Sequence, residues 1–301
     1  MYGLGKEGPL TSVEDLERAW WDRFGDIAER QWSLNEELNL VVRREHLAEV
    51  VQFLRRPGGR LLDVGCGSGW LGLLVASTQM ELTGVDFSLE QVSRARQAAF
   101  GKGSARFILG TIDQVEDGPY DSALLHGVLH HLPEFQIEPF LDRLAKLMAP
   151  GGRIYLYEPI ARAQGFSGGA LAGGLMSSLV WGPFWIMREV GLRLVTGPAG
   201  FRRAVRQGWD GFSPIERPLA AERVLSLMRA RLESVSDLTY WHAFSLAFAM
   251  GCTELRAPLS YLARLQAMLL YRIDRILLRS RLRRHIYGVW TFASLTAIKR
   301  G

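Results

Sequence analysis

The stretch from Leu61 to Trp70 does most to limit what this chain can fold into. Leu61-Leu62-Asp63-Val64-Gly65-Cys66-Gly67-Ser68-Gly69-Trp70, followed after a second apolar stretch by Gly84-Val85-Asp86, reads as a strand, a glycine turn that opens a helix, and a second strand ending in a carboxylate. Glycines at alternate positions let the backbone turn tightly and approach a ligand, while the free N–H groups of the helix start point toward whatever sits there. An acid at the tip of the second strand suits a ribose diol, which offers two hydroxyl donors to one carboxylate. Together they point to a nucleoside ligand.

The spacing sets this turn apart from the dinucleotide fingerprint G-x-G-x-x-G, whose third glycine comes one residue later than Gly69 does. Here the order is Asp-x-Gly-x-Gly-x-Gly, with Asp63 at the end of the first strand. That carboxylate would repel a pyrophosphate and attract an ammonium group. Downstream, Ser88-Leu89-Glu90-Gln91 has the S-x-x-Q form of a helix-opening capping box, which leaves Asp86 and Phe87 in a loop. Ala105–Gly110 and Tyr120–Leu125 read as third and fourth strands, and Arg153–Glu158 as a fifth behind the turn Pro150-Gly151-Gly152.

The glycine turn with Asp63 resembles motif I of the class I S-adenosylmethionine-dependent methyltransferases, and Asp86 matches that family's ribose-binding acid. His130-His131-Leu132-Pro133 resembles a later motif of many small-molecule members, and the likeness covers roughly residues 45–160. It implies a Rossmann-like α/β fold: a seven-stranded sheet, six strands parallel and the last antiparallel, with the sixth at 235–243 and the seventh at 287–298. It further implies S-adenosyl-L-methionine as cofactor. Asp63 and the Gly65, Cys66, Gly67 and Gly69 turn would hold its methionine part, Asp86 its ribose, and Phe87, Thr111 and Ile112 its adenine, with His126 lining the site. One position departs from the pattern: many relatives carry an acid after the glycine ending the third strand, where this chain has Gly110-Thr111-Ile112-Asp113. Thr111, a backbone group or Asp113 could each serve the adenine.

Composition narrows the class. Apolar residues make up 48% of the 301 and charged ones 22%, enough for a large globular core. Two cysteines, Cys66 and Cys252, exclude a disulfide framework and a cysteine zinc site, and no metal is expected. The residues from Met1 to Pro9 hold no apolar run of signal-peptide length, so a cytoplasmic protein is expected. The net charge of +5 is concentrated late in the chain, where Arg264, Arg272, Arg275, Arg279, Arg281, Arg283 and Arg284 alternate with apolar residues at three- and four-residue steps. That pattern fits a core-packed helix with a solvated basic face, or a surface for anionic lipid head groups or an acidic substrate. Nucleic acid is not expected, because no recognised binding module is present. The uncharged stretch from Ala163 to Met187 is long enough for a bilayer span, but its glycines, serines and Pro183 favour a buried cap over a membrane-dipping or spanning segment.

Three regions follow: a helical N-terminal lid (1–45) carrying Trp20, Trp21, Phe24 and Trp32, a cofactor-binding core (46–160), and substrate-side insertions with the last strands (161–301). A helix is also expected to start at Ser213-Pro214-Ile215-Glu216. A cofactor mouth roofed by aromatic and uncharged segments suits a hydrophobic small molecule or lipid-like acceptor. His130 and His131 are the candidate bases, Glu158 an alternative base or substrate ligand, and Tyr240, Trp241 and His242 candidate pocket walls. The rival readings are a cofactor-binding enzyme of another reaction, such as a cyclase, and a membrane-surface binding protein on a vestigial fold.

Overall fold

Strands whose residues are apolar on both faces can sit only in the middle of a layered α/β structure. Arg60–Val64 forms β1, with every residue after Arg60 buried, and it lies at the centre of the sheet. The computed structural model describes residues 12–32, 37–101, 104–161, 213–215, 217–242, 245, 259–280 and 291–300. In chain order the elements are α1 (Val13–Trp32), α2 (Glu37–Leu54), β1, α3 (Trp70–Ala76), β2 (Glu81–Asp86), α4 (Leu89–Ala99), β3 (Ala105–Leu109), β4 (Tyr120–His126), α5 (Glu134–Leu147), β5 (Met148–Ala161), β6 (Leu219–Ala220), α6 (Ala221–Arg231), β7 (Ser234–Val235), β8 (Thr239–His242), α7 (Leu259–Arg279) and β9 (Thr291–Ile298).

The sheet runs β3-β2-β1-β4-β5-β9-β7, with β6 beside β5 and β8 beside β9. Strands β1 to β5 are mutually parallel, and β9 is antiparallel to β5. The strand order reverses between β1 and β4, and ligands of such sheets bind outside the carboxyl ends at that point. One apolar layer packs α5 and α6 on one face of the sheet, and a second packs α2, α3 and α4 on the other.

The structure departs from the sequence expectations in two places. The sixth strand is split: β7 and β8 both pair with β9, separated by Ser236, whose N–H donates to Thr296 O while its hydroxyl oxygen accepts from Thr296 N. A side chain thus replaces the backbone acceptor, and the ladder breaks there. No helix starts at Ser213; α6 begins at Ala221, after β6, because Ser213 and the Ile215 N–H are engaged by His131 and Glu17 instead. Helix α2 runs unbroken from Glu37 to Leu54 and buries Val42, Leu47, Val50 and Leu54. The Ala163–Met187 stretch and Arg281, Arg283 and Arg284 lie outside the described residues.

Candidate functional site

The glycine turn is built from backbone conformations that side chains resist. Gly65, Gly67 and Gly69 all have positive φ, at 64°, 52° and 76°. The N–H groups of Gly65 and Cys66 both donate to Val85 O, at 2.8 and 3.1 Å, which ties the turn to the tip of β2. A Cβ on Gly65 would stand 2.7 Å from Val128 Cγ2, and one on Gly69 2.8 Å from the Phe107 ring. Gly65→Ala is therefore expected to cost about 1–3 kcal/mol through overpacking and left-handed strain, seen as a lower urea midpoint with unchanged slope. At Gly67 a Cβ would meet nothing nearer than Gln91 Oε1 at 3.7 Å, so this face of the turn is open.

Asp86 is positioned by the same backbone. Its Oδ2 accepts from Gly67 N and its Oδ1 from Ser88 N, each at 2.9 Å, and each oxygen retains a lone pair for a ligand hydroxyl. Ser88 caps α4 by accepting from Gln91 N, as its S-x-x-Q pattern implies, and its hydroxyl donates to Asp22 of α1 at 2.6 Å. Burial pushes the Asp63 carboxyl up to about 8, the neighbouring Asp86 adds to the shift, and a backbone hydrogen bond from Gly72 opposes it. Burial also raises Asp86, against the pull of the Ser88 and Gly67 N–H groups. Two adjacent carboxyls held reluctant to ionise form a place where a cationic ligand group relieves like-charge repulsion.

The remaining expected ligand-binding residues are distributed as follows. Phe87 follows Asp86 and is half-buried, while Ile112 is buried. Thr111 is exposed, but its N–H and hydroxyl both donate to Gln114 Oε1, at 2.6 and 3.0 Å, in a capping box around Ile112–Gln114. Its side chain is thereby committed to the cap. Cys66 is buried with its thiol pushed well up by burial, first, and by the Asp86 and Asp63 charges, so it packs rather than reacts. His126 ends β4, with its Nε2 3.0 Å from Arg43 Nη2 and its ring stacked on Tyr157 at 4.6 Å.

His130 and His131 share a 3₁₀ turn just past β4, with ring centroids 3.9 Å apart. Their environments differ. Glu158 is fully buried, and its Oε1 accepts from Val128 N and Leu129 N, each at 2.8 Å, while its Oε2 lies 2.7 Å from His130 Nδ1. This carboxyl holds the histidine turn in place. Burial lowers His130 to about 3, so it is neutral near pH 7, with Nδ1–H donating to Glu158. His131 is half-buried; its Nδ1 lies 3.0 Å from Glu17 Oε1 of α1 and 2.9 Å from Ser213 Oγ. Burial would raise Glu17, but hydrogen bonds from His131, Ser213 and Ile215 and the His131 charge outweigh it and hold the carboxyl low. Trp21 donates to the same Glu17 oxygen at 3.0 Å and meets His131 edge-on at 5.2 Å. Helix α1 thus covers the histidine turn through Glu17 and Trp21.

Glu17, Arg43, His46 and Tyr157 were missed from the sequence. Arg43 and His46 lie three residues apart among Val42, Leu47 and Val50, a spacing that puts both polar groups on the buried side of one helix, and that was the available signal. Trp241 is buried, donating to Ser294 Oγ at 2.8 Å, and His242 is buried as well, while Tyr240 packs against the core. Among the described residues no group of three or more His, Cys, Asp and Glu could hold a metal ion.

A family model described as "Methyltransferase domain" matches residues 61–152, the span from the glycine turn to the start of β5. A ubiquinone biosynthesis O-methyltransferase of Vibrio cholerae is 30% identical over 158 residues, which cover 49% of this chain and 62% of that protein. The match therefore spans less than two thirds of the curated relative. Among solved structures, a cyclopropane synthase from Mycobacterium tuberculosis superposes with a TM-score of 0.58 at 16% identity, covering 98% of this chain and 100% of that one. A magnesium protoporphyrin IX methyltransferase from Synechocystis, with bound S-adenosylmethionine, gives a TM-score of 0.55 at 15% identity over 98% and 100%. These structures share the fold. With Asp-x-Gly-x-Gly-x-Gly closing β1, Asp86 closing β2 and an antiparallel last strand, the chain has the fold of these structures, and its segment 61–152 is similar in sequence to a methyltransferase domain.

Proposed function

We propose that this protein transfers a methyl group from S-adenosyl-L-methionine to a hydrophobic small molecule or lipid-like metabolite. The observation that carries the reading is the pair of carboxyls at the glycine turn: half-buried Asp86 held open for a diol by Gly67 and Ser88, and buried Asp63 raised to about 8 beside it. When bound, the donor supplies an electrophilic sulfonium methyl group. Asp63 and the turn from Gly65 to Gly69 hold its aminoacyl end, Asp86 its ribose, and Phe87 and Ile112 flank its base.

The rest of the work is positioning, which can supply roughly 7–11 kcal/mol of a displacement barrier. Where the acceptor must lose a proton, the Nε2 of His130 takes it, with Glu158 fixing the tautomer from the other side of the ring; His131, tied to Glu17 and Ser213, sets the mouth. The aromatic cover from Trp20, Trp21 and Phe24 on α1 and the ubiquinone-biosynthesis relative both favour an apolar acceptor.

The test is to incubate the full chain with radiolabelled methyl donor and a cell lipid and metabolite extract. Label should enter an organic-soluble product. Absence of label, together with no calorimetric heat for either the donor or S-adenosylhomocysteine, would overturn the reading. A further expected outcome concerns protons. Asp63 keeps its proton to about pH 8, so a ligand ammonium facing it at pH 7 should expel roughly one proton on binding. Calorimetry in two buffers of different ionisation enthalpy measures this release, and Asp63→Asn should abolish it.

A lipid-like acceptor also calls for access to a lipid surface. No helix among the described residues is long and apolar enough to cross a membrane. Helix α7 buries Ala267, Asp274 and Leu278 and exposes Leu265, Leu269, Ile273 and Ile276 in one stripe, flanked by exposed Arg264, Arg272 and Arg279 with no exposed acid among its described residues. This face fits peripheral contact with an anionic bilayer. In flotation assays the protein should rise with phosphatidylglycerol-containing vesicles and not with neutral ones, and Ile273→Asp with Ile276→Asp should leave it at the bottom of the gradient.

A further inference from the structure

We propose that Glu17 is a positioning residue: one carboxylate fastens α1 across the nucleoside site and also fixes the histidine turn to the chain entering β6, so that the acceptor side is assembled when the nucleoside is in place. The inference deepens the methyl-transfer reading and rests on it. In the sheet, β1 lies between β2 and β4. Helix α1 is bonded to the chain just beyond each of those flanking strands. Asp22 Oδ1 accepts from Ser88 Oγ at 2.6 Å past the end of β2, and Glu17 Oε1 lies 3.0 Å from His131 Nδ1 past the end of β4. Two strand spacings come to about 10 Å, and five residues of helix rise about 7.5 Å, so side chains of ordinary reach make both attachments. The helix therefore crosses the carboxyl end of β1, where the glycine turn starts beside Asp63 and Asp86. A nucleoside held there lies beneath α1 and leaves when α1 lifts.

The attachment of α1 is mainly polar. Among its residues from 13 to 25 only Glu17, Phe24 and Gly25 are buried, and Val13 and Leu16 stand exposed. An element that buries so little apolar surface opens at a free-energy cost well below that of global unfolding. Over the first half of the helix the fastening falls to Glu17. Its Oε1 meets His131 Nδ1 and accepts from Trp21 Nε1, each at 3.0 Å, and its Oε2 accepts from Ile215 N at 3.0 Å. Trp21 belongs to α1, whereas His131 and Ile215 lie 114 and 198 residues away in the chain. A buried carboxylate stripped of one partner keeps its full desolvation penalty, so these bonds form and break together. Glu14 adds a further tie, accepting from Gln136 Nε2 of α5 at 2.9 Å.

The chain entering β6 rests on the same turn at every second residue. Ser213 Oγ lies 2.9 Å from His131 Nδ1, Ile215 N donates to Glu17, and Arg217 N donates to His130 O at 3.3 Å. The Arg217 guanidinium reaches on to Leu132 O at 3.0 Å, and two residues later β6 pairs with the end of β5 at Ile160. The histidine turn is thus gripped between α1 and this segment, with Glu17 as the bond common to both. Lifting α1 withdraws the carboxylate from His131 and Ile215 at once and leaves a backbone N–H without its acceptor. By linkage, a nucleoside that favours the closed helix favours the ordered turn by the same coupling free energy. Donor first and acceptor second is the binding order that follows.

The test is hydrogen exchange on the full chain with and without S-adenosylhomocysteine, read by mass spectrometry on peptides from α1, from 127–133 and from 213–220. In the wild type the nucleoside should slow exchange in α1 and, together with it, in the other two peptides. Glu17→Gln keeps the size of the side chain but turns an N–H₂ toward one of its donor partners. In that variant the response at 213–220 should be lost, and stopped-flow dissociation of S-adenosylhomocysteine should speed up about tenfold or more. Arg18→Gln, on the exposed side of α1, should leave both readouts as in the wild type. Wild-type binding that leaves α1 or 213–220 unprotected would overturn the proposal, and this measurement needs no variant to fold. So would a Glu17→Gln protein that keeps the wild-type dissociation rate or the wild-type response at 213–220. If calorimetry on the wild type gives no heat with S-adenosylhomocysteine, the methyl-transfer reading itself fails; binding heat without the exchange coupling sinks only the role given to Glu17.

Discussion

Asp86→Ala should weaken S-adenosylhomocysteine binding by about 100-fold or more. Two hydroxyl hydrogen bonds to a carboxylate contribute roughly 1.5–3 kcal/mol each, and the loss of both corresponds to about two decades or more in affinity. The structure adds a second contribution. Gly67 N and Ser88 N donate to the two Asp86 oxygens, so alanine also releases the glycine turn from the start of α4. Asp86→Asn keeps one acceptor oxygen and should fall between the two. Calorimetry on folded variants measures the effect, and an Asp86→Ala protein that binds as wild type does would remove the basis for placing a ribose there.

Glu158→Ala should cost about 3–5 kcal/mol of stability, the range expected when one member of a buried hydrogen-bonded pair is deleted. Its Oε1 is the shared acceptor of the Val128 and Leu129 N–H groups, and Oε2 faces the His130 ring, all within the core. Alanine leaves those donors buried without partners, so the turn carrying His130 and His131 should loosen and activity should fall with stability. Glu158→Gln retains the Oε1 pattern but presents an amide N–H₂ to His130, forcing the ring to accept at Nδ1 and shifting its proton to Nε2. That variant should lose less stability and should fail as a base toward the acceptor.

The same residue gives a signed pH dependence. Burial lifts Glu158 to about 7 from an ordinary 4.5, against the pull of the Leu129, Val128 and His130 N–H groups and the His131 charge. The folded state holds its proton more tightly than the unfolded state does. Its contribution is therefore fully present below about pH 4.5 and is lost as pH rises through about 7. Across that window the wild type should lose stability relative to Glu158→Gln, as measured by paired urea titrations.

Local patterns were the legible part of this protein. The turn between β1 and α3 depends on residues within a few positions of one another, and positive φ at Gly65, Gly67 and Gly69 is a requirement that the residue types themselves announce. The capping box at Ser88 followed from an equally compact signal, and the antiparallel last strand from the family resemblance. The reading failed where a short motif had a distant competitor. Ser213-Pro214-Ile215-Glu216 has the form of a helix start, but Ser213 and Ile215 bond to His131 and Glu17, and α6 starts at Ala221.

Chain chemistry over ten or twenty residues was enough to specify the glycine turn, the two acids and the positions of the first five strands along the chain, because backbone sterics and apolar runs act between near neighbours. The roles of Glu158, Glu17, Arg43 and His46 came from folding alone. Glu17 reaches His131 across 114 residues and Arg43 reaches His126 across 83, distances in sequence over which no periodicity carries information. A carboxylate on a strand can be a base, a ligand or a clamp, and the choice is made by which N–H groups and rings the finished sheet brings within about 3 Å of it.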